Sequence, residues 1–273
     1  MKIAEVIQKI EEKHVKLDTR QRSCDGVVYG GTERECTGIV LTCCPTVRMI
    51  KEAVRLGYNM ILCHEPAFYH GWDETDRIQE TWICQEKKRL LDQNGILIYR
   101  DHDHVHQEKP DMVFSGIIQK LGWEKYRTSN EFFPTSKYVI PETTLEELGQ
   151  YVADKMKIDG IRIIGEPAMK VRNVGLMAHF FGGPEDQELI REIERNDYDV
   201  IIPGEIVDWT IGEYIQDSNA LGRKRGMLNV GHFNLEEPGM EMMEGWLKDA
   251  VADQVPVSFV RSGNAYSWLD CRR

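Results

Sequence analysis

Histidines and carboxylates gather in three short segments of this sequence, and these residue types bind transition metals. The segments are HEP at residues 64–66, YRDHDHVHQEK at 99–109 and GHFNLE at 231–236. Imidazole nitrogens and carboxylate oxygens together suit zinc, iron or manganese better than calcium. The residues therefore indicate a site for divalent metal ions, provided that the fold brings some of them together.

The segment 99–109 has the densest set of possible ligands. His102, His104 and His106 occupy alternate positions, with Asp101 and Asp103 beside them. The alternative interpretation is a polar loop in which the histidines have no common role. A local cluster does not by itself show that its side chains converge on one ion.

The other two segments offer one imidazole and one carboxylate each. His64 and Glu65 follow an apolar run, and a turn after a strand can direct both side chains to one site. His232 and Glu236 are four residues apart, a spacing that puts both on one face of a helical turn. The alternatives are a turn with a solvated acid at Glu65 and, at Glu236, a helix N-terminus whose acid complements the dipole.

One more carboxylate follows a strand-like run. Glu205 comes directly after VIIPG, where it is a candidate general base or an acid that supports the ligands. It could equally cap the next helix. His14, His70 and His179 have no partners that the sequence identifies, and we treat them as structural or surface residues.

The elements that must position these residues alternate between strand and helix. Apolar runs at 38–43, 59–63 and 96–99 are typical of buried strands, with helical patterns between them at 45–57 and 76–94. This order predicts a parallel βαβ arrangement. Since ligands collect at the carboxyl ends of such strands, HEP and the histidine-rich segment are expected at one sheet edge.

The second half of the chain repeats this alternation, with a capping-box pattern after Pro141 and a last helix expected over 238–252. We therefore predict an α/β protein of two similar three-layer lobes, residues 1–130 and 131–273.

Composition limits the class of protein. The 273 residues are 41% hydrophobic and 29% charged, with a formal net charge of −11. Such acidity argues against a nucleic-acid groove, and no apolar run is long enough to cross a membrane. Without a signal-peptide pattern, and with seven cysteines lacking repeated CxxC spacing, we expect a cytoplasmic protein. Phosphate-loop, dinucleotide and serine-hydrolase motifs are also missing from the sequence.

Taken together, the segments resemble the NIF-three-like family, known in bacteria as GTP cyclohydrolase I type 2 homologs. CDGVVYG, the block ending in ILCHEP, ILIYRDHDHVH, VIIPGE and GHFNLEEPG fall in the family's order and at similar intervals. The resemblance implies two α/β lobes facing each other across a dinuclear metal centre, with homohexameric assembly. It also implies that His64, Glu65, His232 and Glu236 are metal ligands.

The sequence departs from the family at two ligand positions, residues 65 and 106. Glu65 stands where the family usually has a second histidine, and HDHVH stands where it has His-Thr-Asn-Leu-Asp. His106 thereby replaces the family's bridging aspartate, and a neutral imidazole does not readily bridge two metals. We expect His106 as a ligand and His102 as the second choice. Unless only one metal is held strongly, the bridging ligand is then one of four carboxylates: Glu65, Glu236, Asp101 or Asp103.

The leading hypothesis is a divalent-metal-dependent hydrolase of the GTP cyclohydrolase I type 2 kind. It would hold one or two ions of zinc, iron or manganese and act on a small molecule such as a nucleotide, with Glu205 as the possible base. The alternatives are a non-catalytic metal-binding protein that regulates or assembles others, and a structural α/β protein without metal.

Overall fold

The computed structural model describes residues 1–17, 22–129 and 135–269, which form two compact units. Unit 1 consists of Met1–Gly116 and Glu237–Gly263, and unit 2 of Ile117–Glu236 and Asn264–Arg273. The predicted boundary at residue 130 lies outside the described residues. The compact units divide the chain differently from the predicted lobes, because residues 237–263 pack with the first part of the chain.

Unit 1 is built on a five-stranded sheet. Its strands are β1 (Gly26–Tyr29), β2 (Ile39–Thr42), β3 (Met60–Cys63), β4 (Leu97–Arg100) and β10 (Val257–Phe259), in the order β1-β4-β3-β2-β10. The β2, β3 and β4 strands are mutually parallel, as predicted, and every residue in them is buried. β10 extends the parallel set beside β2, and β1 runs antiparallel to β4 at the other edge.

The helices of unit 1 cover the sheet and carry one of the candidate segments. They are α1 (Ile3–Lys13), α2 (Val47–Leu56), α3 (Trp82–Asn94) and the five-residue α4 (Asp103–Gln107). The predicted start of α3 near Asp76 was too early, because turns at Ile78 and Thr81 precede the helix. The histidine-rich segment, which we expected as a loop after the strand, instead contains α4.

Unit 2 is built on a second five-stranded sheet, in the order β5-β7-β8-β9-β6. Its strands are β5 (Thr135–Thr144), β6 (Arg162–Ile164), β7 (Lys170–Met177), β8 (Val200–Pro203) and β9 (Gly226–Asn229). β7, β8 and β9 are parallel, whereas β5 and β6 pair antiparallel at the two edges. The mixed α/β class predicted from the sequence is confirmed for both sheets.

The remaining helices are α5 (Met112–Leu121), α6 (Leu145–Met156), α7 (Glu185–Asn196), α8 (Glu213–Ala220) and α9 (His232–Ala250), with a π-helical turn at Asp208–Gly212. The predicted capping box is present, since Thr144 and Glu147 accept each other's backbone N–H. α9 begins at His232 rather than at Pro238, which lies inside the helix. Among the helices in the described part of the chain, none has both the length and the apolar run that crossing a bilayer requires.

Candidate metal centre

His64 is the first candidate ligand of unit 1, and β3 delivers it to the carboxyl end of the sheet. Its backbone N–H, like that of Glu65, donates to the Cys43 carbonyl, at 3.1 and 2.9 Å respectively. The ring is buried, and its Nδ1 lies 3.2 Å from the Asp101 carbonyl oxygen. Because a carbonyl only accepts, the proton of the neutral ring is on Nδ1 and the lone pair is on Nε2.

His102 and His106 are oriented in the same way by carboxylates. The Nδ1 of His102 lies 2.9 Å from Asp103 Oδ1, and the Nδ1 of His106 lies 2.9 Å from Asp111 Oδ2. Hydrogen bonds from His102, Ser23 and the Cys24 backbone hold the pKa of Asp103 well below its usual range, so it is ionised. Both rings therefore donate through Nδ1 and carry their lone pair on Nε2, as metal-binding histidines do.

These three residues form what we call the three-imidazole cluster: His64, His102 and His106. Ring nitrogens of all three lie within 4.8 Å of one another, and the ring centroids are separated by 4.4, 5.0 and 4.9 Å. Burial, followed by the neighbouring His64, lowers the pKa of His102, which keeps its imidazole neutral at pH 7. Three converging imidazoles are a donor set that fits a divalent metal.

Asp25 fixes the backbone of the segment that carries two of these histidines. Its carboxylate accepts the backbone N–H groups of His102, Asp103 and His104 at 2.7, 2.8 and 2.9 Å. It also lies 2.6 Å from the Nδ1 of His104, so this ring contacts the same carboxylate that caps α4. These hydrogen bonds cap and stabilise α4, which forms where the local sequence suggested a loop.

His14 completes a buried network beside the cluster. Its Nε2 lies 3.0 Å from Asp101 Oδ2 and its Nδ1 lies 2.9 Å from Glu108 Oε1. Burial alone would lower the pKa of His14, but the two carboxylates outweigh it and raise the pKa. The carboxylates of Asp101 and Asp103 thus each contact an imidazole, His14 and His102 respectively.

Unit 2 has its own convergence of ligand types, which we call the His–Glu cluster: His179, His232 and Glu236, again within 4.8 Å of one another. His232 Nε2 lies 3.0 Å from Glu236 Oε2, as the four-residue spacing in α9 allows. Glu205 follows β8, and its Oε2 lies 3.9 Å from His232 Nδ1. The Glu205 side chain is 49% exposed, so it is accessible to a small molecule.

His179 has the opposite ring orientation from the histidines of unit 1. The backbone N–H of Glu205 donates to its Nδ1 at 2.9 Å, which requires the lone pair on Nδ1 and the proton on Nε2. Nε2 lies 3.5 Å from Glu236 Oε1. In its neutral form His179 therefore presents an N–H, and not a lone pair, towards Glu236.

The structure brings most of the predicted residues into these two clusters. His64, His102 and His106 converge in unit 1, and His232 and Glu236 converge in unit 2 with Glu205 nearby; Glu65 is buried beside His64. Sequence reasoning missed His179 and Asp25. The signal for His179 was its place just after β7, at the sheet edge that also holds Glu205.

Comparisons with known proteins agree with this architecture. A family model described as Duf34/NIF3 (NGG1p interacting factor 3) matches residues 1–265. Two proteins named GTP cyclohydrolase 1 type 2 homolog are similar. The one from Clostridium acetobutylicum is 22% identical over 238 residues, covering 83% of this chain and 82% of the relative. The one from Clostridium perfringens is 22% identical over 237 residues, covering 84% and 85%.

Solved structures show the same fold at low identity. A Bacillus cereus protein related to NIF3 superposes with a TM-score of 0.74 and 15% identity, covering 98% of this chain and 99% of that one. A Staphylococcus aureus protein gives 0.72 and 16%, with the same coverage. The family match spans nearly the whole sequence and the fold agrees with it, so this chain belongs to the DUF34/NIF3 family.

Proposed function

We propose that this protein is a divalent-metal-dependent hydrolase, with the three-imidazole cluster at the centre of its metal site. The observation that carries the proposal is that the Nδ1 atoms of His64, His102 and His106 all face acceptors. That arrangement places a lone pair on the Nε2 of each ring. Outer hydrogen bonds of this kind orient and strengthen histidine ligands in metalloproteins.

The residues fit zinc, iron or manganese, because imidazole suits zinc and iron and carboxylate suits manganese. Glu65, His232 and Glu236 are the further ligands that family membership suggests, for one or two ions in each subunit. A bound ion would supply Lewis acidity, which lowers the pKa of water and polarises a carbonyl, imine or phosphoryl group.

Glu205 is the residue that we propose as the general base. Its carboxylate is half exposed, and its backbone is fixed at both ends, since its N–H donates to His179 and its carbonyl accepts from Phe180 at 2.8 Å. A carboxylate held in this way can take a proton from water without a large reorganisation. The names of the two clostridial relatives make nucleotides the first substrates to test.

The test combines metal analysis with a chelator-controlled activity panel. Plasma emission spectrometry of the purified protein should find zinc, iron or manganese, and nucleotides or phosphoesters should be turned over until a chelator is added. Glu205→Gln should keep the metal and lose about 10²- to 10⁴-fold in turnover. Stoichiometric metal without chelator-sensitive turnover would support the alternative, a non-catalytic metal-binding protein, and absence of metal would contradict both.

Two further properties belong to the proposal. Homohexameric assembly is suggested by the family resemblance, and a cytoplasmic location by the composition of the sequence. Native mass spectrometry of the full chain measures the first, and cell fractionation the second. A stable monomer, or a chain found in the membrane or secreted fraction, would contradict them.

A further inference from the structure

Two large aromatic side chains of unit 2 remain exposed next to the residues discussed above. Phe181 and Trp209 are each 67% exposed, although aromatic rings of this size gain most from burial. Phe181 lies two residues after His179, and Trp209 lies four residues after Glu205. Exposed aromatic surface beside a candidate site is a common sign of ligand recognition.

Hydrogen bonds hold the backbone at Phe181, whereas the ring of this residue is exposed to solvent. The N–H groups of Phe181 and Gly182 both donate to the buried carboxylate of Asp186, at 3.1 Å each. The ring stacks on His179 with a centroid separation of 5.2 Å and an interplanar angle of 24°. His179 in turn lies 4.3 Å from the ring of His232, so Phe181 continues a row of rings that leads to the His–Glu cluster.

Trp209 is positioned against the same piece of backbone. A Cβ on Gly182 would come within 2.8 Å of the six-membered ring of Trp209, and Gly182 has a positive φ of +82°. Only glycine meets both conditions without strain, so the indole lies directly on the backbone next to Phe181. Each exposed ring thus has a protein contact on one side, which reduces the ordering cost of binding a flat ligand.

The charges nearby indicate what kind of flat ligand fits. Glu205, half exposed, offers acceptor oxygens in the turn that leads into Trp209, and Glu185 brings a carboxylate within 2.6 Å of where a Gly183 Cβ would lie. Carboxylates repel an anionic ring and attract one that carries N–H donors.

We propose that Phe181 and Trp209 form a stacking site for a planar heteroaromatic ring with N–H donors, such as an amino-purine base. The proposal rests on the proposed function where it makes this ring a part of the substrate. Binding of the ring itself uses only side chains of unit 2 and does not require the metal.

The experiment is calorimetric titration of chelator-treated full-length protein with guanosine, with ribose as the non-planar control. Guanosine should bind and ribose should not. Because base–aromatic stacking contributes about 1–3 kcal/mol, Phe181→Ala and Trp209→Ala should each weaken binding by about 5- to 150-fold. Trp82→Ala is the matched control, since Trp82 is 74% exposed in unit 1, and it should leave the affinity unchanged.

Two results would overturn the inference. One is equal affinity for guanosine in all variants, or no binding at all. The other is a change in sedimentation mass on Phe181→Ala and Trp209→Ala without any effect on guanosine, which would make this surface a contact between copies of the chain. Metal content and chelator-sensitive turnover are measured separately, so loss of the stacking site leaves the hydrolase proposal standing, and the reverse also holds.

Discussion

The three-imidazole cluster and the His–Glu cluster use the same side chain in opposite ways. In the first, the Nδ1 atoms of His64, His102 and His106 each face an acceptor. In the second, the Nδ1 of His179 faces the backbone N–H of Glu205. One neighbouring atom therefore decides whether a histidine presents a lone pair to a metal or a proton to a carboxylate. By the proximity of histidines and acids alone, the two clusters would look equivalent.

The largest expected effect is loss of metal when a ligand of the three-imidazole cluster is removed. His102→Ala or His106→Ala should reduce the metal content of the purified protein to a trace. This loss is greater than the reduction of about 10- to 100-fold that follows removal of an outer hydrogen bond, because no other group replaces the missing ligand. His70→Ala is the control, because His70 is exposed and in the same unit. Full metal content in both cluster variants would rule out this cluster as the site.

The next effect tests the acceptor that orients His106. Asp111→Asn keeps an oxygen for the Phe114 N–H, 3.0 Å away in the wild type, but turns an NH₂ group towards His106 Nδ1. The ring must then move its proton to Nε2, and zinc affinity should fall by about 10- to 100-fold. Competition with a coloured chelator measures the affinity, and unchanged thermal unfolding shows that α5 is intact. Unaltered affinity would mean that His106 does not need this tautomer.

A smaller effect on zinc is expected from His179. His179→Ala should change zinc affinity less than Asp111→Asn does, because neutral His179 presents an N–H rather than a lone pair towards Glu236. Long-range ¹H–¹⁵N spectra of zinc-free protein should show His179 protonated on Nε2 and His64 protonated on Nδ1. The same tautomer for both residues would remove the distinction between the clusters.

The smallest effect concerns the network behind the three-imidazole cluster. The folded-state pKa of His14 is raised above its ordinary 6.5, because Asp101 and Glu108 outweigh the effect of burial. Protonated His14 therefore stabilises the fold fully below about pH 6.5, and this contribution is lost as the pH rises through the folded-state pKa. Urea unfolding of the wild type should show this decline, and His14→Gln should flatten it. An identical pH profile in the variant would assign the decline to another group.

Four of the strands were predictable because they are short runs in which every residue is buried. IVLT, MILC, LIYR and VIIP read as strands from local sequence alone, and each ends at the sheet edge where candidate residues follow. The start of α9 was harder, because Pro238 suggested a first turn whereas the helix begins six residues earlier, at His232.

The ring orientations could not have been predicted, since they depend on contacts between distant parts of the chain. Asp25 caps a segment 77 residues further on, and Glu205 reaches His179 from a separation of 26 residues. Neither hydrophobic periodicity nor the spacing of residues within a motif indicates such pairs. Candidate ligands could be inferred from residue type, but the ring orientation of each histidine required the fold.

The cap that Asp25 provides has a consequence for how the protein would acquire its metal. In small zinc domains the ion organises the chain, so that folding and loading are one event. Here the backbone of 102–104 is already anchored by a carboxylate and the ring planes are already set by Asp103 and Asp111. Loading and release then become ordinary exchange reactions on a folded protein. The ion that occupies such a site follows from supply and from the intrinsic affinity series of divalent metals.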